Sequence, residues 1–332
     1  MDIGLALPQF DFSVPDERPL RWDTVLHWAT RAEALGFHSI WVADHLFLSI
    51  EKYGGPPGEH GGYDPIVVLG ALARATSRVR LGTLVLCAQL RPPAVLAKAL
   101  ATLDVMSQGR VTVGLGAGWY EREYEAAGIA FERPGVRLAQ LAEVVEIVRQ
   151  LLAGDEVSFR GRHYQVNEAR VRPPAAQRPH PPIWVGGSGD RLLQLCAAHA
   201  DGWNTAWRWT YEGFRDRTHV LDEACERVGR DPGSVVRSLG LFALVGEDLS
   251  DLARRYEHLQ RVTPKGVLDG VSLAAWREGR LVGTVDQVRE QLHRWEGLGV
   301  STLIVGAGAL PFAVHGGDDV EMLAAACSLE GP

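Results

Sequence analysis

Pro173–Asn204 reads PPAAQRPHPPIWVGGSGDRLLQLCAAHADGWN. A proline-rich connection ends at Pro182, and the apolar run Ile183–Gly186 follows. Gly187, Ser188 and Gly189 come next, then a helical pattern carrying Leu192, Leu193, Leu195, Cys196 and His199. Asp201-Gly202 closes that helix and Trp203 opens another strand. The order is strand, glycine turn, helix, strand, which is a βαβ unit. Successive N–H groups in such a turn can converge on an anion, and the following helix N-terminus adds its positive dipole end. The turn therefore reads as a phosphate seat or as a tight βα turn that requires small residues.

The same alternation extends in both directions. Ile3–Leu7 is a strand, and a helical pattern from Trp22 ends near Gly36. Ser39–Ala43 is a second strand, followed by the Gly- and Pro-rich loop Lys52–Tyr63. Asp64-Pro65 is an N-cap with proline at the first helical position. Val79–Leu86 and Val111–Leu115 are strands on either side of a helix that starts at Pro92-Pro93. Val136–Leu152 is a strong helix, and Val157–Val166 reads as a hairpin turning at Arg160-Gly161. Beyond the βαβ unit come a helix around Tyr211–Val228, a strand at Val236–Val245 and a strand at Thr302–Val305. Thr284 and Gln287 form a capping box for the helix between those last two strands. Thr263–Gly283 has no clear period. Eight continuously apolar strands alternating with helices predict an α/β chain, a (β/α)8 TIM barrel. The expected organisation is one domain over 1–332 with an insertion at about 119–181, between strands four and five. A doubly wound open sheet is the second architecture.

The chain has 332 residues, 46% hydrophobic and 23% charged, with formal net charge −7. That is the composition of a globular chain. No Lys/Arg block is present, which argues against nucleic acid or a membrane surface as partner. The N-terminus has no basic region before its apolar stretch, and no apolar run reaches membrane-spanning length. Four scattered cysteines (Cys87, Cys196, Cys225, Cys327) form no CxxC pair. Free thiols and a cytoplasmic location are expected.

In a barrel of this kind the site lies at the C-terminal ends of the strands. Gly114, Gly116 and Gly118 follow the fourth strand with GxGxG spacing, not the GxGxxG of a dinucleotide fold. The spacing instead implies a backbone that approaches a flat ligand at Gly116, Ala117 and Gly118, walled by Trp119 and Tyr120. GGSGD at 186–190 resembles a nucleophile elbow, but Asp190 stands where the motif wants glycine. The 11 histidines are scattered and show no metal-ligand spacing. Asp44-His45 ends the second strand. A histidine there can exchange a proton near neutral pH, and an adjacent carboxylate can tune it. Asp44 capping the next loop, with His45 packing, is the other reading.

DHL at 44–46, RVRLGTLVL at 78–86 and RPPAVLAKALATLDVMSQGRVTVGLGAGWYEREYEAAGI at 91–129 resemble the luciferase-like monooxygenase superfamily. So do FRGRHYQV at 159–166 and QRPHPPIWVGGSGDRLLQLCAAHADGWN at 177–204. The resemblance spans about 2–305 and lies in the ordered succession of blocks. It is strongest to the coenzyme F420-dependent branch and extends to flavin mononucleotide (FMN)-dependent monooxygenases. It implies a (β/α)8 barrel, usually dimeric. It also implies acid–base chemistry at His45, with Asp44 beside it. Leu84 and Val85 match a strand-three bulge with a non-proline cis peptide that backs the cofactor ring. Cys87 matches a ring-contacting threonine of the relatives. Gly187, Ser188 and Gly189 match the phosphate-binding turn. Two positions depart from the sugar-phosphate dehydrogenases of that branch: Trp119 replaces a catalytic glutamate, and Ser49 replaces a ring-side tryptophan.

The implied function is hydride transfer between C5 of F420 and a small organic substrate. His45 and Asp44 would be catalytic, with Gln9, Ser49, Trp119 and Trp207 at the substrate pocket. Trp41, Trp119 and Trp207 would lie near the ring. No metal is implied, and the expected assembly is a homodimer. An FMN/FMNH2-dependent monooxygenase and a flavin-binding protein without turnover are the alternatives.

Overall fold

Short apolar strands, each followed by at least one helix, run parallel around a closed barrel in the computed structural model, which describes residues 1–329 and 331. The strands are β1 (Asp2–Ala6), β2 (Ser39–Val42), β3 (Arg80–Thr83), β4 (Val111–Gly116), β5 (Ile183–Gly186), β6 (Gly202–Trp207), β7 (Val236–Gly246) and β8 (Thr302–Gly306). Each pairs with its neighbour in chain order. Val113 of β4 stands opposite Ile183 of β5, and Leu5 of β1 opposite Val305 of β8. These two pairings close the sheet and exclude the doubly wound alternative.

The helices on the outside are α1 (Trp22–Ala34), α2 (Pro65–Ala75), α3 (Pro93–Met106), α4 (Pro134–Ala153), α5 (Asp190–His199), α6 (Tyr211–Arg227), α7 (Leu249–Val262), α8 (Val285–Gly297) and α9 (Gly317–Ala326). Local chemistry sets their starts. The Asp64 carboxylate accepts from the N–H groups of Ile66 (2.9 Å) and Val67 (3.0 Å) ahead of α2. Thr284 and Gln287 complete the capping box of α8.

Within 119–181, α4 packs between α3 and α5 as the barrel's own fourth helix. The additions proper are the short helix Glu121–Ala126 and the hairpin Val157–Arg160/Gln165–Ala169. A second excursion lies between β7 and β8. There the aperiodic stretch holds a one-turn helix, Leu273–Trp276, and a strand, Leu281–Thr284, that extends the pairing of β7.

One core lies between strands and helices, and another fills the barrel. Inside, Trp41 and Trp184 stack with centroids 5.1 Å apart. The glycines facing them are the reason they fit: a Cβ at Gly82 would lie 2.2 Å from the Trp41 ring, and one at Gly202 would lie 2.5 Å from Trp184. Trp41 donates from Nε1 to Ser39 Oγ (2.9 Å) and lines the N-terminal mouth with Asp2 and Ser301. It is therefore at the opposite end of the barrel from the position expected beside a cofactor ring.

Two loops roof the C-terminal mouth. The first carries the ribbon Phe47–Leu48/His60–Gly61 and the turn Glu51–Tyr53; the second spans 263–280. They touch backbone to backbone at Gly54 (φ +88°) and Gly266 (φ +89°). A Cβ on Gly54 would sit 2.7 Å from the Gly266 carbonyl oxygen, and one on Gly266 only 2.1 Å from that of Gly54. Among the described residues no helix is long and apolar enough to cross a membrane, and no cluster of His, Cys, Asp or Glu has metal-binding geometry. The four cysteines are unpaired.

Candidate functional site

Asp44 and His45 follow the end of β2, and their side chains take different partners. Asp44 does not touch His45. Its carboxylate accepts two bonds from Arg91, at 2.6 and 3.0 Å, and one from the Cys87 N–H at 2.9 Å. The resulting ion pair raises the Arg91 pKa despite the opposing effect of burial. Asp44 is therefore not the carboxylate that would tune His45: it ties the end of β2 to the segment after β3.

The carboxylate on His45 belongs to Glu123, from the short helix after β4. His45 Nδ1 lies 3.0 Å from Oε1 and 3.1 Å from Oε2, and the Leu46 N–H donates to Oε2 at 3.1 Å. The Glu123 side chain is 0% exposed and that of His45 11%. With Nδ1–H donating to the carboxylate, the neutral ring presents Nε2 as an acceptor. Nε2 makes no hydrogen bond to another described residue. Trp119 covers the imidazole edge to face at 5.6 Å, and Phe10 lies 6.2 Å away. The Lys52 ammonium sits 3.2 Å above the Trp119 ring.

β3 breaks after Thr83 and pairing resumes at Leu86–Cys87. The Leu84–Val85 peptide between them is cis. Val85 leans onto three glycines. A Cβ at Gly114, Gly116 or Gly186 would come within 2.9, 2.6 or 2.8 Å of its methyl groups. Gly118 clears the Tyr124 hydroxyl, and the Ala117 carbonyl accepts from Arg137 Nε at 3.2 Å. The GxGxG spacing thus first serves the protein's own side chains. Leu84 belongs to the barrel-filling cluster, and only Val85 of the pair is partly exposed. Cys87 faces inward, its Sγ 3.5 Å from the Asp44 carbonyl oxygen. Burial pushes its thiol well above the usual range, and Asp44 and Glu123 add to that. It is a buried thiol, not an activated nucleophile.

Gly187, Ser188 and Gly189 form the turn between β5 and α5. The Gly187 carbonyl accepts from Trp203 Nε1 at 2.6 Å, which fixes the turn from below. The N–H groups of Ser188, Gly189, Asp190 and Arg191 donate to no acceptor among the described residues. A Cβ at Gly189 would meet nothing within 4 Å. Arg217 stands beside the turn and pairs with Asp190 at 2.6 Å. Free donors, open space and a neighbouring guanidinium fit an oxyanion such as a cofactor phosphate.

Three pocket positions are placed as follows. Gln9 is buried, donating to the carbonyls of Ala43 (2.7 Å) and Tyr63 (2.8 Å) and accepting from the Ala43 N–H (2.6 Å). Its amide is spent on scaffold. Ser49 donates to Glu51 Oε1 at 2.9 Å within its own loop. Trp207 stacks on Phe242 at 5.3 Å, meets Phe312 edge on at 5.4 Å and lines a cavity of about 710 Å³. Phe312 in turn lies 6.1 Å from Phe10, which connects that wall to His45.

Two further residues stand at this mouth; from the sequence Glu123 is, with Glu121, only a second candidate after His45, and His315 is not singled out. Glu123 lies four residues beyond Trp119, where EREYEA offers three glutamates and no sign of which faces in. His315, after β8, is 6% exposed, and neither ring nitrogen has a hydrogen-bond partner. Burial, with His258 adding to it, pulls its pKa down to about 4.

Comparison with known proteins matches residues 1–302 to the family described as luciferase-like monooxygenase. The F420-dependent hydroxymycolic acid dehydrogenase of Mycobacterium tuberculosis is 29% identical over 307 residues, 90% of this chain and 81% of that protein. The F420-dependent glucose-6-phosphate dehydrogenase of Amycolatopsis mediterranei is 32% identical over 183 residues, 54% of this chain and 51% of that protein. The chain thus matches about half the length of that relative. The crystal structure of monooxygenase RslO1 from Streptomyces bottropensis superposes with a TM-score of 0.74 at 26% identity, covering 99% of this chain and 97% of that one.

Proposed function

The chain belongs to the luciferase-like monooxygenase family and is an oxidoreductase, and from that premise we propose that it is an F420-dependent enzyme acting on a small organic substrate. The observation that carries the catalytic part is the His45–Glu123 pair at the C-terminal mouth. The cofactor reading is supported by relatives named for F420 and by a turn whose free N–H groups fit a phosphate.

When bound, the deazaflavin would supply or accept a hydride at C5. The protein's share is positioning and proton handling. Ser188, Gly189 and the first turn of α5 would hold the phosphate through backbone N–H groups, with Arg217 beside them. Val85, seated on its three glycines, presents apolar surface toward the mouth. His45 would give or take a proton at Nε2 while Glu123 holds the ring by Nδ1. Trp119 and Lys52 would exclude water above the imidazole. Titration with F420 and with FMN, followed by absorbance and by Trp119 and Trp207 fluorescence, tests the reading. Micromolar F420 binding with much weaker FMN binding is the expected result; tight FMN binding with oxygen uptake on reduction overturns it.

The second reading is a reduced-FMN monooxygenase, favoured by the full-length likeness to a monooxygenase structure. A homodimer is part of the proposal. α2 and α3 expose Val67, Val95, Val105 and Met106 on the outside of the barrel, which supports burial against a second copy. A cytoplasmic location is supported by the four unpaired cysteines.

A further inference from the structure

The cavity beside Trp207 measures about 710 Å³. That is within the range of small-molecule sites. Its walls are largely aromatic and aliphatic: Trp207 stacked on Phe242, then Trp276, Leu268 and Val267. Three cations reach it. Arg208 is matched by Glu278 at 3.5 Å. Lys52 and Arg280 are not matched: among the described residues neither has a carboxylate within 4.0 Å.

Arg280 enters from the far side. Its guanidinium lies 5.3 Å from the Trp276 centroid and 5.8 Å from that of Phe242. One terminal nitrogen donates to the carbonyls of Trp276 and Glu278, while Nε is buried with no acceptor. Lys52 enters from the roof. Its ammonium lies over the rings of Trp119 and Tyr53 and makes no hydrogen bond among the described residues. Aromatic faces attract a cation but supply no counter-charge. A partly buried guanidinium without an anion is costly, so Arg280, with Lys52 exposed at the rim of the same cavity, describes an incomplete site. Desolvation is felt at Arg280, where with Arg208 it lowers the pKa to about 10.

We propose that this cavity binds the substrate as an organic acid, with its carboxylate between Lys52 and Arg280 and its apolar body against Trp207, Phe242 and Trp276. The assignment of this acid as substrate rests on the oxidoreductase reading of the same mouth. The binding itself does not. The aromatic and aliphatic walls suit an apolar body, and the unpaired Arg280 guanidinium suits an oxyanion. Lys52 also covers Trp119, the lid of His45, so docking the acid would fix that lid in place.

The test is calorimetric, at pH 7, with 4-phenylbutyrate, its uncharged amide 4-phenylbutyramide, and phenyl phosphate as probes. The acid is expected to bind at least tenfold more tightly than the amide. Arg280→Met and Lys52→Met, which keep the apolar stems, should each reduce that preference at least threefold. Lys52 is exposed on its loop, so its variant stays informative if Arg280→Met does not fold. Equal binding of acid and amide overturns the proposal. So does an unchanged preference in folded variants, or phenyl phosphate binding tenfold more tightly than the carboxylate. F420 is titrated in parallel. Loss of F420 affinity in Arg280→Met, with acid binding unchanged, would assign the cations to the cofactor and overturn the proposal. Acid selectivity in a protein that binds no F420 would overturn the cofactor reading and leave this site standing.

Discussion

His45 Nδ1 lies 3.0 and 3.1 Å from the two carboxylate oxygens of Glu123, a residue 78 positions further along the chain. The same carboxylate takes the Leu46 N–H. One buried acid therefore fixes both the imidazole and the backbone that carries it. The pair should behave as a reacting group and its holder. His45→Asn is expected to lower kcat by roughly 10²–10⁴, the usual contribution of a positioned acid or base, with cofactor affinity within a few-fold. Its limb of the pH–rate profile should vanish. Glu123→Gln should lower kcat less, by roughly tenfold, and leave that limb in place. Steady-state kinetics over pH on folded, cofactor-binding variants checks both.

Asp44 should fail a catalytic test and pass a structural one. Asp44→Asn removes the charge that receives Arg91 twice and the Cys87 N–H once. Arg91 keeps Asp64 at 2.7 Å, which softens the loss. We expect about 2 kcal/mol of lost stability, within the range for hydrogen bonds to charged groups. Turnover of the folded fraction should fall by less than fivefold. Urea denaturation beside kinetics decides it, and a large drop in kcat at unchanged stability would return Asp44 to the reaction.

Ser188→Asp places a carboxylate among the free N–H groups at the start of α5. The helix end would accept that charge, and a cofactor phosphate would be repelled by it. Cofactor affinity should weaken at least tenfold, about 1.4 kcal/mol, with the fold kept. Unchanged affinity in a spectroscopic titration would show that the turn is small only to pack.

His315 should make the protein acid-sensitive. Its folded pKa is held near 4 against a usual 6.5, by burial and by His258. The folded state resists the proton while the unfolded chain accepts it below 6.5. Stability is therefore full above pH 6.5 and falls as pH drops toward 4, by up to about 1.4 kcal/mol per pH unit for one proton. Chemical denaturation at pH 7, 5.5 and 4.5 reads the slope. His315→Phe should flatten it.

The fold was legible because barrel strands buried on both faces read as apolar runs, and because caps such as Asp64 and Thr284 use local chemistry. The mouth was legible as a place and less so as a set of contacts. Asp44 and His45 are adjacent in sequence, and adjacency does not say that their partners, Arg91 and Glu123, differ. Glu123 needed the orientation of a six-residue helix, which no periodicity fixes at that length. Gln9 is a polar residue at a strand end, and only the structure shows its amide consumed by backbone. Trp41 has the apolar spacing of a strand, but spacing cannot say toward which end of the barrel an indole leans.

The contact between Gly54 and Gly266 bears on how this scaffold can be diversified. Each residue occupies the room that the other's side chain would need. A loop transplanted across 51–62 alone would carry a foreign backbone into an unmoved neighbour. Residues 264–268 therefore belong in the same cassette, and randomised libraries should hold positions 54 and 266 constant. Two stretches more than 200 positions apart in the gene are, for an engineer, a single exchangeable part.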